Sequence, residues 1–307
     1  MLPVLLSIGD WPVSSFGVFL VLGFLVGMFL VWRLARAWDL DEEKVLDLTL
    51  LTFLGAIFGA RIYFAVENLP VFLASPFNLI LINKVPGLSF WGGILGGWLT
   101  LHYFAKRKRL DFWQLADIAF VGLLGGLVLS SFGCFLGGCN LGSQTDSLFG
   151  VSMVGAVAKR WPVQLIEAMF LILGLLKIWS KATHFHQRGK IAGLGFLYLG
   201  FITLVLDPLK QDHSGRIFSL VFILLGSTIY YRVTKQNPLT HLKQVKKFLV
   251  QFVTDAETRK RVVQNLSKSC YNQKTIIGWK LRSLKKNSGS IKRLLRRLNV
   301  KFTQENP

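Results

Sequence analysis

Apolar windows of about 20 residues recur along this sequence, and each is long enough as a helix to cross a hydrocarbon layer of roughly 30 Å. Seven can be marked: Val13–Trp32, Val45–Val66, Leu88–Ala105, Phe112–Ser131, Trp161–Trp179, Ile191–Leu209 and Gly215–Tyr231. In the middle of a bilayer no water can satisfy a backbone N–H or C=O, so each segment has to close its own hydrogen bonds as a helix. The chain therefore reads as all-α, a polytopic integral membrane bundle of seven transmembrane helices with a basic cytoplasmic tail. Only 17% of the 307 residues are charged and 52% are hydrophobic, whereas a soluble domain carries about 25% charge. Alternation with period two is missing over most segments, which argues against an outer-membrane barrel.

Charge sets the expected orientation. Arg33, Arg36 and Lys44 form one basic cluster, and Lys106–Arg109 a second. Lys177, Lys181, Arg188 and Lys190 form a third, and Arg232 and Lys235 a fourth. With seven spans all four fall on one face, which the excess of Lys and Arg in inner loops makes cytoplasmic. The N-terminus is then outside and the C-terminus inside. Asp10 and Trp11 precede the first apolar run and no basic stretch does, so that run is expected to stay as a membrane helix. We divide the chain into a membrane domain, residues 1–233, and a tail, residues 234–307. The tail from Thr234 holds eighteen Lys and Arg against three acids, +15 of the total +20. Its segments His241–Val253 and Ile291–Val300 are basic and amphipathic, which fits contact with anionic inner-leaflet lipid better than nucleic acid.

Two glycine-rich stretches stand out within the spans. Gly87–Gly97 (GLSFWGGILGG) has five glycines in eleven residues, and Ser130–Gly142 (SSFGCFLGGCNLG) is of the same character. Such glycines allow close backbone approach, between helices or around a ligand. Cys134 and Cys139 in the second stretch read as small packing residues or as a disulfide at the outer face; further metal ligands at suitable spacing are missing. Glu67–Val85 is greasy but broken by Pro70 and Pro76, so it should lie along the outer interface rather than span.

A few polar residues are costly enough in this setting to carry information. Arg61 lies late in the second span, where it either meets an anionic headgroup or reaches back to the interface. In Lys159–Glu167 (KRWPVQLIE), Gln164 and Glu167 are three apart and share a helix face, with Pro162 suited to the first turn. Arg160 is placed to neutralise Glu167 or a phosphate. Asp207 closes the sixth span, with Arg61, Arg160 and Arg216 as candidate partners. His102, His184 and His186 have no clustered acids or cysteines and are expected at the interface or in a loop. No zinc-protease, serine-hydrolase or phosphate-loop signature occurs.

Taken in order, these stretches resemble the prolipoprotein diacylglyceryl transferase family over roughly Val13 to Tyr231. Phe16 and Gly17 correspond to its early aromatic–glycine pair, and Gly59–Tyr63 (GARIY) to its glycine–arginine stretch with Arg61 retained. Ser89–Gly93 (SFWGG) matches an SFHGG-type motif, Ser130–Gly142 a GRxGNFxNGExxG signature, and Arg160–Glu167 (RWPVQLIE) an RHPxQLYE motif. Glycines 92, 93, 133, 138 and 142 and the trio Pro162, Gln164 and Glu167 follow the pattern. Other positions depart from it. Trp91 stands at the motif histidine, Ser131 at the signature arginine, Cys134 and Gly137 at its asparagines, and Cys139 at its acid with Asn140 beside it. Thr203 stands at the span-six arginine.

The resemblance implies a reaction in which the thiol of a lipobox cysteine takes the diacylglyceryl group of phosphatidylglycerol and glycerol phosphate leaves. That chemistry needs a base or field for the thiol and cations for the phosphate. The resemblance and the residues present give Glu167 and Asp207 as bases. They give Arg61, Arg160, Gln164, Gly92, Gly93 and Asn140 as substrate-binding residues, with Lys210 or Arg216 as helpers. No metal and no cofactor is called for. The implied partners are phosphatidylglycerol and a preprolipoprotein signal peptide, in a bacterial inner membrane. A relative that binds lipid or lipoprotein without transferring it is the alternative. A small-molecule transporter is a weaker one, because neither repeat symmetry nor broken mid-membrane helices are visible.

Overall fold

The computed structural model describes residues 3–8, 11–81, 85, 87–153, 156, 158–211, 215–235 and scattered positions from 251 to 268. The chain forms two units, Met1–Gln236 and Asn237–Pro307. In the second, residues such as Gln251, Thr254, Lys260 and Gln264 are helical and exposed. The segment Ile291–Val300, and His241–Val253 apart from Gln251, lie outside the described residues.

The first unit is helical. A short hairpin, β1 (Val4–Ile8) and β2 (Trp11–Ser14), leads into α1 (Ser15–Ala37). There follow α2 (Glu42–Glu67), the short α3 (Leu69–Ala74), a 3-10 turn over Pro76–Leu79, α4 (Phe90–Arg107) and α5 (Phe112–Gly137). A second hairpin, β3 (Val151–Ser152) with β4 (Lys159–Arg160), precedes α6 (Val163–Ala182). Then come α7 (Lys190–Leu206), a 3-10 turn over Asp207–Leu209 and α8 (Gly215–Thr234).

Helix starts follow local chemistry. Ser14, Asp41 and Asp111 each accept a backbone N–H from the first turn of α1, α2 and α5, leaving fewer orphan donors there. Helix α5 ends six residues later than the expected Ser131, at Gly137, where Gly138 takes a left-handed conformation (φ 76°) that a side chain would strain.

Among the described residues, six helices are long and apolar enough to cross a membrane: α1, α2, α5, α6, α7 with its 3-10 extension, and α8. The expected third span forms a helix of eighteen residues, α4, that is not among them. Its four glycines, His102 and terminal Lys106–Arg107 dilute its apolar content.

Helices pack as antiparallel pairs through small residues. A Cβ on Gly23 or Gly27 of α1 would lie 2.7–2.8 Å from a glycine carbonyl of α5. One on Gly59 of α2 would lie 2.5 Å from Gly92 O of α4. Backbones at that separation gain dispersion contacts that apolar burial cannot supply in lipid. Away from these seams the helices expose large apolar side chains such as Leu25, Phe58, Ile62, Leu99, Leu176 and Leu224, a surface suited to acyl chains.

At one end of the bundle, α1 turns into α2, α4 into α5 and α6 into α7. Lys108 reaches Asp47 (3.2 Å), Arg188 reaches Asp111 (2.7 Å), and Trp38 Nε1 donates to Ala182 O. The basic clusters of the sequence thus share this end with several fully buried residues, Leu34, Ala35, Ala105 and Ala182.

Candidate functional site

The opposite end is built from chain reversals that carry polar groups. After α5, the segment 141–145 runs as an extended strand between two others. Ser143 N donates to Leu209 O and Gln211 N to Leu141 O on one side; Thr145 N donates to Lys159 O and Trp161 N to Ser143 O on the other. Residue pairs Gly142–Lys210 and Gln144–Arg160 face each other across this patch. Arg160 and Lys210, fifty residues apart in sequence, are thereby placed beside one cavity of about 350 Å³. Ser143, Gln144, Pro208 and Gln211 complete its lining.

Arg160 donates through Nη1 to Gly142 O (3.0 Å) and Gln211 Oε1 (2.7 Å). Its Nε is buried without a hydrogen-bond partner. Arg160 does not pair with Glu167, as the sequence reading allowed; Lys210 Nζ is the cation near Glu167, at 3.9 Å. The reason is tertiary: Arg160 leaves β4 toward the strand patch, whereas Glu167 is more than a turn into α6 and meets the chain returning from α7.

Gln164, only 1% exposed, donates its amide to two carbonyls, Cys139 O (2.6 Å) and Asn140 O (3.0 Å). Its Oε1 is buried and unpartnered. An unpaired buried acceptor or donor costs about 1–3 kcal/mol, so two of them on residues of one motif need an explanation. Asn140 itself is held left-handed (φ 54°), an uncommon state for a residue with a side chain. Cys134 and Cys139 are joined as a disulfide, which selects between the two readings of this pair.

Asp207, 2% exposed, receives Arg216 through Nε and Nη2, both at 2.8 Å, so of its three candidate partners it takes Arg216. Beside this pair Ser219 Oγ donates to Thr203 Oγ1 (2.8 Å). Trp91 stacks on Phe218 at 4.6 Å with the rings 14° from parallel, and meets Phe222 edge-on.

Arg61 is 5% exposed and neither snorkels nor faces solvent. It donates to the carbonyls of Asn78, Leu79, Val85 and Gly87 at 2.5–2.9 Å, and packs against Phe64 and Phe72. Four of its five N–H groups are thus spent on the backbone of Asn78, Leu79, Val85 and Gly87, ahead of α4. Gly92 faces Tyr63 and the Gly59 carbonyl of α2, and Gly93 faces Ala56 and Ala60, so both lie in a helix seam. The structure therefore joins Gln164 to Asn140, Glu167 to Lys210, and Arg160 with Lys210 on one cavity, and sets Arg61, Gly92 and Gly93 on the α2–α4 side. Ser143, Gln144 and Gln211 escaped the sequence reading; nothing local marks them, because only the strand patch makes them neighbours.

Asp117, fully buried in α5 at the basic end, is a further omission. It accepts Gly189 N (2.7 Å) and Ala192 N (2.6 Å), capping α7 from another helix. His186 Nε2 lies 3.6 Å away. The Asp117 carboxylate, followed by the His184 carbonyl on Nδ1, raises the His186 pKa above its ordinary value against the opposing effects of burial and Lys190. An acid inside an apolar run was the available signal. Among the described residues no group of three or more His, Cys, Asp or Glu is placed to hold a metal.

Fold and site define a polytopic helical membrane protein with a cationic, hydrogen-bonded cleft at one end of the bundle. A family model, prolipoprotein diacylglyceryl transferase, matches residues 3–232, and the chain belongs to that family. It is similar to the phosphatidylglycerol–prolipoprotein diacylglyceryl transferase of Rickettsia rickettsii (strain Sheila Smith), 28% identical over 255 residues, covering 77% of this chain and 97% of the relative. The enzyme of that name from Francisella tularensis subsp. holarctica (strain OSU18) is 29% identical, with 76% and 95% covered. That from Deinococcus radiodurans is 35% identical over 165 residues, 52% of this chain and 45% of the relative.

Proposed function

We propose that this chain transfers the diacylglyceryl group of phosphatidylglycerol to the lipobox cysteine of a preprolipoprotein. In that reaction the peptide sulfur forms a bond to the glyceryl carbon, the carbon–oxygen bond to phosphate breaks, and glycerol phosphate departs with the electron pair. The thiol proton passes to a base. Arg160 and Lys210 are the cations for the departing phosphate, and Glu167, beside Lys210, is the base. Gln164 and Asn140 shape the headgroup end of the cleft, and Arg61 fixes the backbone at Asn78, Leu79, Val85 and Gly87 on the α2–α4 side. Asp207, bound by Arg216, holds the α7–α8 junction and is the second acid of the site.

The observation that carries this reading is the cavity that Arg160 and Lys210 line, where Arg160 keeps its Nε buried and unsatisfied. A cationic donor left open at a cavity suits a ligand bearing phosphate, and Gln164 Oε1 is a second unsatisfied buried atom on the same motif. The family membership supports the same substrate.

The protein is a multi-pass membrane protein, which we place in the bacterial inner membrane with α4 as an additional, seventh span. Basic residues gathered at one end support a cytoplasmic assignment for it, and the Cys134–Cys139 bond supports an oxidising exterior for the other. The N-terminus is then outside and the C-terminus inside. The membrane domain comprises residues 1–233, and the basic tail, 234–307, lies against anionic lipid.

A second reading, lipid or lipoprotein binding without transfer, is favoured by Trp91, whose indole is stacked among Phe218, Phe222 and Phe90 and takes up no proton. Purified protein in phosphatidylglycerol micelles with a lipobox peptide separates the two. Transfer predicts a diacylglyceryl mass shift on the peptide, lost when its cysteine is replaced by serine, with release of glycerol phosphate. No shift in a preparation that binds phosphatidylglycerol would establish the second reading.

A further inference from the structure

We propose that the Cys134–Cys139 disulfide is a positioning element of the headgroup site, acting through Gln164. This rests on the function proposed above and adds a covalent part to its site.

The bond closes the C-terminal turn of α5 on itself. Cys139 N already donates to Cys134 O (3.0 Å), as does the Gly138 N–H, and the sulfurs then tie the same two residues through their side chains. Left-handed residues stand on both sides of Cys139, at Gly138 (φ 76°) and Asn140 (φ 54°), so the chain reverses sharply there. A reversal built on two uncommon backbone states is easily lost to a looser turn, and a covalent tie removes that freedom. Its product is a fixed direction for two carbonyls, Cys139 O and Asn140 O.

Gln164 reads both. Its amide nitrogen donates one hydrogen to each carbonyl, which fixes the carboxamide plane and leaves Oε1 as the unpartnered acceptor. Glu167 stands on the same face one turn along α6, and Lys210 is held at Gly142, two residues beyond Asn140. A turn at 134–139 that relaxed would turn the Gln164 acceptor and shift the strand that seats Lys210. The effect is on the polar end of the lipid site. The apolar core that α5 and α6 share, which includes Leu124 and Leu171, keeps its arrangement.

The test uses the full chain carrying Cys270→Ser, which leaves only the two cysteines in question. Mass spectrometry counts maleimide-labelled thiols before and after dithiothreitol, which gives two electrons and two protons to the cystine and departs as its cyclic disulfide. Affinity is measured in parallel for phosphatidylglycerol and for diacylglycerol, which lacks the headgroup. We expect no label before reduction and two after it, with phosphatidylglycerol affinity falling about tenfold and diacylglycerol affinity unchanged. Reduction in place avoids reliance on a variant folding; a Cys134→Ser, Cys139→Ser double variant that folds should match the reduced protein. Two labels on the unreduced protein would overturn the proposal. So would reduction that weakens both lipids alike, which marks a purely structural tie, or neither. Oxidised protein that binds no phosphatidylglycerol at all would overturn the function reading, and the positioning role with it.

Discussion

The two ends of the bundle handle buried polar groups in opposite ways. At the basic end Asp117 is fully buried and its two oxygens accept Gly189 N and Ala192 N, with His186 beside them. At the other end Gln164 is buried and Arg160 half-buried, yet each keeps one buried atom without a partner. A closed network stabilises a junction and gains nothing from a ligand. An open one is costly in the absence of a ligand, and retaining it makes sense only where something binds. Arg61 shows that position alone does not decide the matter. It lies on the α2–α4 side, away from the basic end, but backbone carbonyls occupy it as completely as α7 occupies Asp117.

The contrast is sharpened first by Arg160→Ala. Losing a preorganised cation at the leaving group should lower transfer by about 10²–10³-fold, measured as peptide mass shift per folded molecule, while thermal unfolding in detergent changes little. Glu167→Gln should lower turnover by about 10²-fold or more and leave phosphatidylglycerol affinity near that of the parent. Asp117→Ala should do the reverse. It strands two N–H donors at the start of α7, at a cost of about 1–3 kcal/mol each, so the unfolding temperature falls while folded molecules retain transfer. Arg61→Ala belongs with Asp117→Ala in stability, and protease cleavage at Asn78–Leu79 should become faster.

The smallest effect concerns pH. The His186 pKa is raised in the folded protein by Asp117, so its contribution is fully present below the unfolded value near 6.5. It fades as pH rises through the raised folded value. His186→Gln should flatten that part of the stability profile, read by thermal unfolding between pH 6 and 9 on the order of one-unit steps.

The helical skeleton was legible because hydropathy and charge act locally: each window and each basic cluster can be seen without knowing its neighbours. Local rules were less able to place α5's end, since the Gly137–Gly138 stop looks like any other glycine pair in a glycine-rich stretch. The site was legible as a set of residues but not as a set of partnerships. Arg160 and Glu167, close in sequence, part company because a strand carries one and a helix the other. Glu167 meets Lys210 only because segment 141–145 pairs with residue 210 and its neighbours. The four carbonyl partners of Arg61 likewise come from a loop whose course no pattern in the sequence encodes.

The most direct measurement compares two arginines of equal charge at opposite ends. Arg160→Ala and Arg188→Ala, each purified in phosphatidylglycerol micelles, are assayed for transfer to a lipobox peptide per folded molecule. Arg188 pairs with Asp111 at the basic end, so its loss should leave transfer within about twofold of the parent, as expected for an exposed pair. Arg160→Ala should fall by about 10²-fold or more. Equal activity in the two variants would contradict the assignment of the open, cationic end as the site of transfer.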